Sequence, residues 1–297
     1  MALGGKTVRV AKVKLAGNKP QLMAYATHRL VTVAPAELAR VCSSMRVSGD
    51  QFTNLLAPSE YQLQAVEAPN VPPEELKAAI RWRVKDALSY HVDDATIDVA
   101  QIPANPHGGD RPQSLYVVSA ANDVIKKRID LFENAKLDLN IIDIPEMAQR
   151  NIAALFEDEG RALALLAFDE NGGMLTFTSG GELYLARRIE IASGQLLDAN
   201  DSVRQQVLDR LELEVQRSLD YFDRQFNYVT VNRLLLSAPR QSGLLEKIAD
   251  NLSVPVERLD LGQVMDLTAV PELADSDTQA DAFYVLGAAL RQERRAL

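Results

Sequence analysis

A run of turned strands followed by helices opens this chain, and a similar run begins afresh just past Gly160. In the first pass Val8, Val10 and Val13 alternate with Arg9, Lys12 and Lys14, the period-two signature of a strand with one buried face. Gly17-Asn18-Lys19-Pro20 supplies a turn, because Gly and Asn tolerate positive φ and Pro cannot continue a ladder. A second strand is expected from Gln21 to Val33, and Pro35-Ala36-Glu37-Leu38 starts a short helix with proline in its first turn. In the second pass, strands are expected over Ala162–Phe168, Met174–Ser179 and Glu182–Ile191. The Gly-containing turns Asp169-Glu170-Asn171-Gly172-Gly173 and Gly180-Gly181 separate them, which makes a three-stranded meander. A chain of 297 residues can hold two domains, here residues 1–160 and 161–297.

The first half carries extra material. Strands are expected over Thr53–Leu56 and Tyr61–Val66, followed by the helix entry Pro72-Pro73-Glu74-Glu75, whose acids complement the positive helix end. Leu76, Ile80, Val84 and Leu88 then form an apolar stripe, with Arg81, Arg83, Lys85 and Asp86 on the opposite side. Strands over Thr96–Ile102 and Ser114–Ala120 flank the loop Pro103–Pro112. Asn122 or Asp123 is placed to cap a helix over Val124–Ala135, with Ile125, Ile129 and Phe132 as its core side. Together these make an α+β insert at about residues 60–138. A strand over Leu139–Ile144 and a helix from Pro145 to Phe156 close that half.

In the second half a long helix spans Ser202 to Asn227, with Val203, Val207, Leu211, Val215, Leu219, Phe222 and Phe226 as its buried stripe. Val231–Leu236 is apolar almost throughout, as a central strand is. A helix over Leu244–Leu252, a strand over Val254–Leu259 and a last helix over Asp281–Arg295 complete the pattern.

Composition narrows the function. A net charge of −9 with a pI near 5.0 argues against a general nucleic-acid binder, which needs a basic surface. The one cysteine, Cys42, permits no intrachain disulfide, suits a reducing compartment, and reads as a small buried apolar residue. Lys6, Arg9, Lys12 and Lys14 interrupt the opening before a signal peptide's apolar segment can form. The densest apolar run, Ala162 to Phe168, is far short of the ~20 residues of a membrane helix. A cytoplasmic protein is expected. His28, His91 and His107 show no metal-ligand spacing, and no Walker A, G-x-S-x-G or C-x-x-C motif occurs.

Four segments carry a family resemblance. Gly4-Gly5-Lys6-Thr7-Val8-Arg9-Val10-Ala11-Lys12-Val13 resembles the opening strand of the PilM/MshI family of type IV pilus assembly proteins. Glu74-Glu75-Leu76-Lys77-Ala78-Ala79-Ile80-Arg81-Trp82, with Asp93-Asp94 and the strand Thr96–Ile102 after it, resembles that family's inserted helix and the strand beyond it. Glu214 to Phe222 is similar to its long second-domain helix, and Leu286-Gly287-Ala288-Ala289-Leu290-Arg291 to its closing helix. The resemblance covers nearly the whole chain. It is nearest to the MshI branch of MSHA pili and more distant from the GspL cytoplasmic domain. Periodicity alone leaves several two-domain α/β folds open; the resemblance implies an α/β, two-lobed actin-like or Hsp70-type fold with an α+β insert in the first lobe.

The resemblance also implies where a nucleotide would sit. Actin-like ATPases grip phosphates and magnesium with two acidic hairpins and hold adenosine on a Gly-rich turn. In the first hairpin the acidic position is expected to fall on Ala2, followed by Gly4, Gly5 and Lys6, and a methyl group cannot coordinate magnesium. The second keeps Asp169 with Gly172 and Gly173; Asp169 reads either as a remnant of the magnesium side or as a hairpin residue making an Asx bond. The adenosine turn aligns with Ser237 to Gly243, has lost consecutive glycines, and has Pro239 in place of a donor. Glu146 stands where this superfold can carry a water-orienting acid, although an acid at a helix start has a structural role already. The expectation is a degenerate nucleotide site, no enzyme and no required cofactor, with weak ATP/Mg binding left open.

For partners, the resemblance implies the N-terminal cytoplasmic segment of a PilN-like inner-membrane protein. Its groove would be lined by Val8–Val13, Gln21–Tyr25 and the insert, and the assembly ATPase complex would lie beyond it. The protein would then be cytoplasmic and peripheral to the inner membrane through partners. A homo-oligomer is left open. Arg81, Trp82, Arg83 and Lys85 are the candidate partner-binding residues, since Arg and Trp are enriched in hot spots.

Overall fold

A computed structural model describes residues 1–15, 19–105 and 113–292. Gly17 and Asn18 of the first turn, His107 with the second half of its loop, and the basic tail residues Arg294 and Arg295 lie outside the described residues. By contacts the chain divides into two units. One comprises Met1–Arg9, Ala26–Pro145 and Arg291–Leu297; the other comprises Val10–Tyr25 and Glu146–Leu290.

The chain opens with β1 (Ala2–Gly4), β2 (Thr7–Lys14) and β3 (Gln21–Arg29), then α1 (Pro35–Ser44) and β4 (Gln51–Leu55). β3 stops short of Val33 because Leu30 donates its N–H to the Lys6 carbonyl at 2.7 Å, where the partner strand runs out. The insert follows as β5 (Tyr61–Glu67), α2 (Leu76–Val84), β6 (Ala95–Gln101), β7 (Ser114–Ala121) and α3 (Asn122–Asn134). Its three strands make a separate antiparallel sheet, ordered β5-β7-β6. Ile80 and Val84 of α2 pack on Leu115 and Val117 of β7.

Two expectations in the insert need correcting. Neither Asn122 nor Asp123 caps α3: the cap residue is Ala121, with no side-chain bond. Asn122 accepts from Thr96 Oγ1 at 2.8 Å and donates to the Asp93 carbonyl at 3.1 Å, so its amide ties three segments together. Ile129 is exposed, and Phe132 supplies the fully buried anchor of that helix.

β8 (Asp138–Asp143) leads into α4 (Pro145–Ala153), and the second pass then runs β9 (Ala162–Asp169), β10 (Gly172–Ser179) and β11 (Glu182–Ile189). Next come α5 (Asp201–Gln225), β12 (Val231–Ser237), α6 (Leu244–Ala249), β13 (Val256–Arg258) and α7 (Ser276–Ala289). α7 begins ahead of the expected Asp281 because Asp275 caps it, accepting from the Thr278 N–H at 3.0 Å. The buried stripe of α5 begins at Leu208; Val203 is exposed.

The two five-stranded sheets share one connectivity. The first is ordered β3-β2-β1-β4-β8 and the second β11-β10-β9-β12-β13. In each, the opening strand pairs antiparallel with the next and parallel with the strand after the helix, and a second parallel strand follows. This duplicated plan makes the fold α/β and actin-like, with the insert lying between β4 and β8. β12 is central, as its apolar run required, and the second unit's core gathers Ile152, Leu165, Leu235, Phe283 and Leu286.

Candidate functional site

The first hairpin turns on Gly5 and Lys6, with Gly4 facing Thr7 across it. Gly5 has φ of 56°, a left-handed conformation that costs an L side chain energy, and Lys6 is exposed. The second hairpin has the same spacing: Asp169 faces Gly172 across Glu170 and Asn171. By register, then, the residue matching Asp169 in the first hairpin is Gly4, not Ala2, which lies inside β1 opposite Arg9. Met1 to Thr7 offers no side-chain carboxylate at all.

Asp169 is bound up in its own turn. Its Oδ1 accepts from the N–H groups of Asn171 at 2.7 Å and Gly172 at 3.1 Å, and the Asn171 amide donates to Oδ2 at 3.2 Å. This is the Asx geometry of a hairpin residue. It also commits the N–H groups of that turn, the ones a phosphate would need. Burial pushes the carboxyl above the usual carboxylate range, against the opposing pull of those hydrogen bonds. Gly172 and Gly173 have packing reasons: a Cβ on Gly172 would stand 2.8 Å from the Ile189 carbonyl oxygen, and one on Gly173 2.5 Å from the Phe168 ring.

Ser237 ends β12, buried, ahead of a turn that closes on Gly243 with φ of 68°. The protein's own groups occupy the polar positions of this turn. Arg240 donates its backbone N–H to Asp277 Oδ1 at 3.0 Å and its Nε to Ser276 Oγ at 2.6 Å. Ser242 Oγ donates to the Pro239 carbonyl at 2.7 Å, and Arg258 donates to the Ala238 carbonyl at 2.8 Å.

A polar cluster within the second unit went largely unread in the sequence. α4 is buried on nearly every side, yet carries Glu146, Gln149 and Arg150, all buried. Such groups persist in a core only when paired. Glu146, 2% exposed, accepts on one oxygen from Arg188 Nε at 3.1 Å and from its terminal nitrogen at 2.8 Å. Gln149 Nε2 donates toward the Leu165 carbonyl at 2.7 Å, the Met174 carbonyl at 3.1 Å and Thr176 Oγ1 at 2.9 Å. Its Oε1 accepts from the Tyr284 hydroxyl at 3.4 Å. Burial holds that phenol well above its ordinary pKa, reinforced by the charges of Asp169 and Glu146 and opposed by Arg188. The signal available in the sequence was Arg188, a charged residue inside the expected strand Glu182–Ile191.

On α2 the proposed partner residues divide. Arg81 is committed internally, donating to the Val92 carbonyl at 2.6 Å and the Ala95 carbonyl at 3.2 Å, which pins the helix to the start of β6. Trp82 is 68% exposed with the Lys85 ammonium 5.3 Å from its ring, and Arg83 is exposed beside it. Among the described residues no group of three or more His, Cys, Asp or Glu side chains could hold a metal ion. No helix among them is long and apolar enough to cross a membrane.

No family model matches the chain, and no curated protein matches it in sequence. Solved structures do match in fold. A chain of a PilM–PilN type IV pilus biogenesis complex superposes with a TM-score of 0.72 at 18% identity, covering 97% of this chain and 95% of that one. The cytoplasmic domain of EpsL, an inner membrane component of the Vibrio cholerae type II secretion system, gives 0.48 at 12% identity over 95% and 92%. A Bacteroides thetaiotaomicron protein with an actin-like ATPase fold gives 0.45 at 8% identity over 92% and 94%. Over 97% of its length, the chain has the fold of the chain in the PilM–PilN complex.

Proposed function

We propose that this protein is a non-catalytic adaptor of a type IV pilus assembly machine. It docks the N-terminal cytoplasmic segment of a PilN-like inner-membrane protein and so ties that protein to the assembly ATPase. The observation that carries the reading is the fold match to the PilM–PilN complex, which spans 97% of one chain and 95% of the other. The order of the sequence segments that resemble the PilM/MshI family agrees with it, and the same resemblance favours an MSHA-type pilus. The protein would work at the cytoplasmic face of the inner membrane, held there by its partners.

The residues at the expected nucleotide site support a non-catalytic role. The residues of the fold's nucleotide-handling elements do not fit ATP and magnesium: the first hairpin has no carboxylate, and Asp169 spends its acceptors on its own turn. Glu146, which would have to orient water, already shares its charge with Arg188. A general base needs a free acceptor directed at the proton it takes. Calorimetric titration with a peptide of the PilN-like cytoplasmic segment should give saturable binding, whereas ATP with magnesium should give no heat at millimolar concentration. Nucleotide binding lost in Asp169→Ala would replace this reading with an ATP-driven conformational switch. Absence of peptide binding would remove the adaptor role.

A further inference from the structure

α5 buries Leu208, Leu211, Val215, Leu219 and Phe222 on its inner face. Its outer face carries Arg210, Arg217 and Arg224, each seven residues after the last. Two helical turns separate them, so they stand in one row at about 10.5 Å intervals. Exposed apolar side chains lie beside the row: Leu213 is 44% and Tyr221 43% exposed. Arg187, from β11, lays its guanidinium 4.7 Å from the Tyr221 ring.

Several charges of α5 outside this row are paired. Arg204 pairs with Asp201 and donates to the Asp198 carbonyl at 2.8 Å. Asp209 and Glu212 both hold Lys247, at 2.8 and 3.2 Å. The row itself is nearly unspent. Arg210 has no hydrogen bond or ion pair among the described residues, and Arg217 comes no nearer than 4.0 Å to Glu214. Arg224 donates Nε to the Asp220 carbonyl at 3.1 Å, which leaves its charge uncompensated by that bond.

We propose that this face of α5 docks a partner helix bearing carboxylates at seven-residue intervals. Guanidinium groups pair with carboxylates through parallel hydrogen bonds, and a partner helix repeats its own side chains at the same spacing. Leu213 and Tyr221 supply the apolar contact that lets such a pair exclude water. A diffuse anion such as a lipid surface or a nucleic acid fits worse. Glu214 and Asp220 stand beside the row and the chain's net charge is −9, so a broad anionic surface is repelled where a narrow acidic row is not.

The test uses the full chain and a synthetic helical peptide with glutamate at every seventh position. A peptide of identical composition with irregular glutamate spacing serves as control. The regular peptide should bind in low salt, and Arg217→Glu should weaken it at least about tenfold. Arg40→Glu, which changes net charge equally at an exposed position of α1, should leave it unchanged. Thermal melts of both variants should match the parent, since both residues are exposed. Equal binding of the two peptides, or none, overturns the proposal. So does Arg217-dependent binding to phosphatidylserine vesicles, or self-association that Arg217→Glu abolishes, which would give the face to a lipid surface or to a second copy. Binding of the PilN-like segment is read separately and should survive Arg217→Glu.

Discussion

The two five-stranded sheets repeat one strand order, but their opening hairpins reach the same two-residue connection by different chemistry. In the first sheet the opening strand is Ala2–Gly4, and the turn depends on Gly5 at a φ of 56°. In the second it is Ala162–Asp169, and the turn depends on Asp169 accepting two backbone N–H groups. The second hairpin adds a side-chain acceptor that the first lacks. The acid present at only one of two matching positions thus has a structural role in its own turn. Sheet order survives this difference in turn chemistry, because it rests on burial and strand pairing, which both halves keep.

The comparison breaks most readily at the helices that follow each sheet's last strand. α4 and α7 hold these corresponding places and touch within the second unit, where a Cβ on Gly287 would lie 2.2 Å from the Ala148 carbonyl oxygen. Both sides of that contact are helix backbone, which cannot swing aside as a side-chain tip can. Gly287→Ala should therefore cost about 3 kcal/mol or more, read by urea denaturation. Gly194→Ala, where a Cβ meets nothing within 4 Å, is the control and should be close to neutral.

Next in size is the Glu146–Arg188 pair, which has its buried carboxylate on α4. Arg188→Ala leaves that carboxylate buried without its cation. Because the Arg188 side chain is 42% exposed, the cost is set at about 2–3 kcal/mol, below that of a fully buried pair. Glu146→Gln leaves only a half-exposed arginine and should cost less. The double variant should recover part of the loss, and a double-mutant cycle measures that coupling. Additive losses would mean that the two side chains do not act as a pair.

Asp169 sharpens the hairpin comparison through pH. Its folded carboxyl is raised above the ordinary 3.8 by burial, so the folded state holds the proton more tightly than the unfolded chain. Stability from this group is therefore present at acid pH and is lost as pH climbs from near 3.8 through the folded value. Asp169→Asn keeps an acceptor for the turn and carries no charge. It should match the parent near pH 3 and be the more stable of the two at pH 7, in paired thermal melts. Asp169→Ala removes the acceptors and should cost about 1–2 kcal/mol at both pH values.

Much of this architecture was legible. Gly180-Gly181, both at positive φ, announced the β10–β11 hairpin, and the apolar run of β12 announced a central strand. What was not legible depended on neighbours distant in sequence. Ile129 fits the α3 stripe by spacing yet faces solvent, and Val203 does the same on α5, because a stripe widens or narrows with what packs against it. Arg81 looked like an exposed hot spot, but the carbonyls of Val92 and Ala95 that hold it come into reach only when the insert folds. Glu146 was legible as a helix-start acid, whereas its partner Arg188 lies 42 residues away. The Asx bond of Asp169, one of its two sequence readings, was legible because it joins residues only two and three apart.

The smallest effect separates the two hairpins most directly. Gly5 sits at a φ of 56°, and a Cβ added there would meet nothing within 4 Å, so Gly5→Ala carries a backbone cost and no steric one. That is about 1 kcal/mol, and Gly5→Asn should recover much of it, since asparagine enters the left-handed region more readily. Gly172 combines a φ of 145° with a Cβ position 2.8 Å from the Ile189 carbonyl oxygen. Gly172→Ala should therefore cost more than Gly5→Ala, and Gly172→Asn should give no relief, because asparagine leaves the clash in place. If asparagine rescued Gly172 as well as Gly5, backbone conformation alone would govern both turns. The distinction between a turn made by glycine freedom and one made by a side-chain acceptor would then collapse.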